Sequence, residues 1–84
     1  MQPIRVSIEG WVKAVLESWP LQLVVIADNE RVDAVLAEGA AISRGGVEAP
    51  PHELLPRCRV RLVGQMTARA PHLTMTVDRV ELLD

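Results

Sequence analysis

Neither phenylalanine nor tyrosine occurs among the 84 residues, and the only aromatic side chains are Trp11 and Trp19. Any aromatic stacking or anchoring must come from those two indoles. A single cysteine, Cys58, has no partner for an internal disulfide, so the fold does not depend on an oxidising compartment and the cytoplasm is the expected location. No apolar run is longer than residues 23–27, far short of the roughly 20 residues needed to cross a bilayer. The chain opens with Pro3 and Arg5 rather than an apolar signal core, and no membrane association is expected. A surplus of positive charge is also missing. The formal net charge is −2, which excludes the broad basic footprint of a protein held on nucleic acid by bulk electrostatics.

Catalytic and metal signatures are scarce as well. Cys58, His52 and His72 lack the spacing of a zinc site. No serine stands in a nucleophile-elbow context, and neither histidine has a neighbour suggesting a triad. Glu9, Glu17 and Glu81 read as solvated charges on strand faces rather than as acids or bases. Arg44, Gly45 and Gly46 form an isolated tripeptide that carries no phosphate-loop pattern. The expectation is a non-enzymatic chain with no cofactor and no metal.

What is present is alternation. Apolar residues make up 49% of the chain and charged residues 24%, a balance that supports one folded domain over residues 1–84 and leaves little apolar surplus for a second core. Over residues 4–14 the even positions Ile4, Val6, Ile8, Gly10, Val12 and Ala14 are apolar or small, the period of a half-buried strand. Gly10 in its middle marks a bend or bulge. Residues 21–27 read as a second strand with apolar side chains on both faces. Asp28, Asn29 and Glu30 make a turn of hairpin length, and Val32, Ala34 and Leu36 face inward on a third strand that Gly39 ends.

Residues 40–49 fit an extension of that strand or an irregular loop equally well. Residues 50–56 suggest one turn of helix between prolines, with Leu54 and Leu55 turned to the core. Residues 57–66 form a fourth strand, with Cys58, Val60 and Leu62 inward and Arg57, Arg59 and Arg61 outward. A turn at residues 67–71 leads to a fifth, with Leu73, Met75 and Val77 inward and a bulge at Asp78 and Arg79 before Val80 and Leu82 resume the pattern. The fold class predicted is all-β: a five-stranded Greek-key barrel of the OB type with one short helical turn between strands 3 and 4.

Several segments carry a family resemblance. Val6, Ser7, Ile8, Glu9, Gly10, Trp11 and Val12 resemble the opening strand of OB domains of the anticodon-binding type, which occur in some aminoacyl-tRNA synthetases and in DNA replication and repair proteins. Residues 23–28 resemble that family's second strand ending in aspartate, residues 31–36 its third, and residues 59–64 its fourth ending in glycine. The resemblance implies a module that binds single-stranded DNA or RNA.

Candidate contacts for such a ligand are the row Arg57, Arg59 and Arg61, spaced about 7 Å apart on an extended strand and therefore matched to successive phosphates. The competing reading pairs these arginines with acids such as Glu9 or Asp78 on adjoining strands. Trp11 with Lys13 on the first strand, and Trp19 in the loop after it, can stack bases, anchor an interface or close over the end of the core. Arg69 and His72 flank the last turn and complete the candidate set. The alternative partner is another protein or a second copy of the chain, met through the apolar second strand and the tryptophans. Small-molecule carriage inside a five-stranded barrel is disfavoured, because side chains fill such a barrel.

Overall fold

The structure is a computed structural model that describes residues 4–83, so the opening residues 1–3 lie outside the described part. Alternation becomes strands almost wherever it occurs: β1 (Ile4–Leu16), β2 (Gln22–Ala27), β3 (Glu30–Arg44), β4 (Val47–Glu48), β5 (Arg59–Ala68) and β6 (Leu73–Leu82). One 3₁₀ turn, Pro51–Glu53, precedes β5 and starts on a proline whose missing N–H costs nothing there.

The strands make a six-stranded sheet in the order β2-β1-β5-β6-β3-β4, and β2 also pairs with β3. All pairs are antiparallel except β3 with β6, which is parallel. This mixed, six-stranded topology corrects the expectation of a five-stranded Greek-key barrel of the OB type. The difference originates in residues 40–49, where alternation is weak: β3 runs on through Gly39 to Arg44, and a two-residue turn then adds β4. Gly45 and Gly46 both take left-handed backbone (φ 59° and 81°), which a tight hairpin requires and which glycine adopts without steric cost. Asp28 and Asn29 do the same between β2 and β3 (φ 51° and 63°), the short polar side chains tolerating that region.

Strand β1 serves two neighbours. Its residues Ile4 to Trp11 pair with β5, and Trp11 to Leu16 pair with β2. Gly10 lies at the exchange, where a Cβ would collide with the Ile26 carbonyl of β2. The bulge itself falls three residues on, at Lys13, between the pairs Val12 with Val25 and Ala14 with Val24. Gly64 plays a matching part on β5: a Cβ there would collide with the Thr76 carbonyl of β6. The extra residue in β6 is Asp78, because Val63 pairs with Arg79 and Gly64 with Val77, so the inward set shifts from Val77 to Val80 as the sequence pattern predicts.

Inside lies an aliphatic core without an aromatic ring. Val12, Leu23, Val25, Val60, Leu62, Met75, Val77 and Val80 are fully buried, and among the described residues no polar or charged residue is buried with them. Each such side chain contributes roughly 1.5–3 kcal/mol by leaving water. Leu54 joins this core but Leu55 is 59% exposed, correcting the expectation that both face inward. The 3₁₀ segment presents one leucine to the core and the next to solvent.

Gly64→Ala is expected to cost about 3 kcal/mol or more, because the colliding atom is backbone and cannot rotate away. Gly39→Ala, with φ +76° but open space around its Cβ, carries only the backbone penalty of about 1–2 kcal/mol. Urea unfolding followed by far-UV circular dichroism measures both, and a larger loss in Gly39→Ala than in Gly64→Ala contradicts this assignment.

Candidate docking groove

The predicted site residues are dispersed. On the outer face of the sheet Glu9 of β1, Arg61 of β5 and Glu81 of β6 stand in one cross-strand row. The Arg61 guanidinium donates to Glu9 Oε2 from Nη2 at 3.1 Å and from Nε at 3.3 Å, and to Glu81 Oε1 from Nη1 at 2.7 Å. Its pKa is raised by the hydrogen bond and charge of Glu9 and by the charge of Glu81. Arg5 and Asp78 form a second, two-pronged pair at 2.8 and 3.0 Å. The arginine hydrogen bond holds the Asp78 carboxyl below its ordinary value, aided by the charges of Arg5 and Arg79, against a smaller opposing effect of desolvation.

The row of three arginines is thereby broken. Arg57 precedes β5, in a turn with left-handed backbone (φ 78°), and its amide donates to the Val12 carbonyl. Arg59 lies opposite Trp11, which in turn faces Ile26 of β2. Trp11, Arg59 and Arg61 share the outer face of the sheet. Lys13 is exposed at the β1 bulge, while Arg69 (exposed) and His72 (half-buried) stand in the turn between β5 and β6. The expectation of an OB module for single-stranded nucleic acid is corrected accordingly: the topology that supported it is not formed, and Arg61 is engaged by two carboxylates.

Trp19 occupies different ground. It is 93% exposed in the loop joining β1 to β2, beside Pro20. That loop and the middle of β3 form the walls of a half-open groove of about 620 Å³, lined mainly by apolar surface from Trp19, Pro20, Leu21, Val35, Ala37 and Pro51. A smaller recess of about 390 Å³ adjoins it across Leu21 and Pro51 and is bordered by the exposed Leu55. Of the eight predicted site residues only Trp19 lines the groove. Its other wall, Val35 to Ala40, was not signalled in the sequence, because Gly39 reads there as the end of a strand.

The loop is braced from within. Ser18 Oγ donates to the Pro20 carbonyl at 2.9 Å, the Ser18 amide to the Leu16 carbonyl at 2.8 Å, and the Leu36 amide to the Leu21 carbonyl at 2.9 Å. On the far side of Pro51, Arg44 forms an ion pair with Glu53 and so ties the end of β3 to the 3₁₀ turn.

Among the described residues no group of three or more histidines, cysteines or carboxylates is placed to hold a metal ion. No helix among them is long and apolar enough to cross a membrane. No family model and no curated protein matches the chain.

Trp19→Ala is expected to leave stability within about 0.5 kcal/mol of the parent, whereas Leu23→Ala costs about 2–5 kcal/mol. Thermal or urea unfolding checks both. Asp78 stays charged in the folded protein at a pH where it protonates in the unfolded chain, so its contribution is full above the ordinary carboxylate value. That contribution disappears as pH falls through the lowered folded value. In Asp78→Asn the acid limb of the stability curve is expected to be shallower, and an unchanged limb contradicts the pairing with Arg5.

Proposed function

We propose that this chain is a non-enzymatic docking domain of the cytoplasm that seats an apolar segment of a partner protein in the groove beneath Trp19. The observation that carries the reading is an almost fully exposed indole on the rim of a mainly apolar groove, in a chain whose core uses no aromatic residue at all. Leaving so large an apolar side chain in water forfeits stability that burial would supply. Tryptophan is also the residue type most enriched among the few that dominate binding energy at interfaces.

Other uses of the groove have less support. Small-molecule sites add a few convergent polar groups to an apolar pocket. Here the Ser18 hydroxyl is turned onto its own loop, leaving Thr76 and two rim carboxylates. Catalysis calls for titratable groups with perturbed protonation in a cleft. Arg5, Arg61 and Asp78, whose protonation is shifted, lie in ion pairs on the outer sheet face instead. A location that needs no disulfide agrees with the single, buried Cys58.

A displayed library of random short peptides, selected on the whole protein and counter-selected on Trp19→Ala, tests this reading. Enriched peptides are expected to bind Trp19→Ala roughly thirtyfold more weakly, the loss typical of a dominant interface tryptophan. Binding to Trp11→Phe is expected to be unchanged. Failure to enrich any peptide that distinguishes the parent from Trp19→Ala refutes the proposal.

A further inference from the structure

The outer face of the sheet is uneven. Across β1 and β5 it is mostly polar, carrying Arg5, Ser7 and Glu9 beside Arg59, Arg61 and Gln65. Over β2 it is apolar. The outward residues there are Gln22, Val24 and Ile26, alternating with the core residues Leu23 and Val25. Val24 is only 8% exposed although it stands outside the core cluster, on the opposite side of its strand. Half-buried Ala14, Ile26 and Val35 and exposed Leu16 and Trp11 extend this face over the neighbouring strands.

A strand with one wet face alternates, whereas an unbroken apolar run such as residues 23–27 is the pattern of a strand covered on both. Among the described elements β2 packs against β1 and β3, its neighbours in the sheet, and no helix or other strand lies over its outer face.

Register decides what fits there. One cross-strand row holds Leu16, Gln22 and Val35, the next Ala14, Val24 and Asp33, and the third Trp11, Ile26 and Arg31. A two-fold axis along β2, with two sheets packed face to face, lays the β1 side of one copy over the β3 side of the other. Leu16 then meets Val35 of the second copy, and Trp11 meets its Arg31. The Arg31 guanidinium keeps its own Asp33, Nε to Oδ1 at 2.7 Å, which leaves its planar face for the indole. On the axis stand Gln22, Val24 and Ile26, none of them charged, so no like charges are brought together. The Gln22 amide both donates and accepts and is its own complement.

We propose that the outer face of β2 is a two-fold self-association surface, on which a second copy of the chain sets Trp11 against Arg31 and Leu16 against Val35. Three short rows make a contact smaller than a standard interface, so the dimer is weak and forms at high concentration. Val35 also lines the docking groove, whereas Trp19 belongs to the groove alone.

Sedimentation equilibrium of the whole protein from about 10 µM to about 1 mM tests this. The mass is expected to rise from that of the 9.2 kDa monomer toward twice that value. Trp11→Ala and Arg31→Ala are each expected to weaken association about tenfold, the loss of two indole–guanidinium contacts per dimer. Their equimolar mixture is expected to associate more tightly than either alone, because a mixed pair retains one intact contact. Ile26→Glu, which sets two carboxylates face to face on the axis, is expected to stay monomeric with an unchanged far-UV spectrum; if it does not fold, the two alanine variants decide the question. Trp19→Ala is expected to associate like the parent. A parent that stays monomeric throughout, or a mixture no tighter than its components, overturns the proposal and leaves peptide capture at Trp19 standing. Association that Trp19→Ala abolishes also overturns it and places the second copy in the groove instead.

Discussion

Strand β1 can belong to two neighbours only because its backbone passes within touching distance of β2 at Gly10. The Ile26 carbonyl sits where any side chain would begin, and the Lys13 bulge then turns the remaining residues into register with Leu23 and Val25. Without that close approach the second half of β1 would run past β2, and Val12 would lose the neighbours that bury it completely. Gly64 against Thr76 is the equivalent device between β5 and β6. The aliphatic core is thus closed by two backbone-to-backbone contacts in which hydrogen takes the place of Cβ.

The groove follows from the same economy. Once β2 is drawn onto β1 it is too short to cover the full length of β3, and β4 covers only the other end. Between them β3 arches, with Gly39 in left-handed backbone and four residues set against the single Asp78 of β6. The loop from Glu17 to Leu21 leans over this interval and is fixed by Ser18 and by the Leu36 amide, so the exposed indole stands on a braced support.

Most strands were legible because each has one buried face. The period-two pattern locates Val6 to Val12, Val32 to Leu36, Val60 to Leu62 and Leu73 to Leu82, and even the displacement at Asp78 is visible as a slipped pattern. Strand order and number were not legible, since alternation records which way a side chain points and not which strand lies beside it. Residues 39–44 escaped for a related reason. The arch interrupts their alternation, and Gly39, which reads as a terminator, is instead a bend within a continuing strand. Likewise the three alternating arginines looked like one row, yet only Arg59 and Arg61 lie on β5, with Arg57 in the preceding turn. The competing reading of that row held for Arg61, whose acidic neighbours are a property of cross-strand register rather than of local sequence. Of the proposed groove, Trp19 was visible as a candidate, while its opposite wall came from an interval that carried no pattern.

A core built wholly of aliphatic side chains, Met75 and Cys58 has a spectroscopic corollary. Both indoles report from the outside, Trp19 almost entirely in water and Trp11 44% exposed. The interior is therefore silent in the near ultraviolet, and emission from this protein describes its periphery. A change in that emission can register an event at the Trp19 loop while the packed interior stays intact.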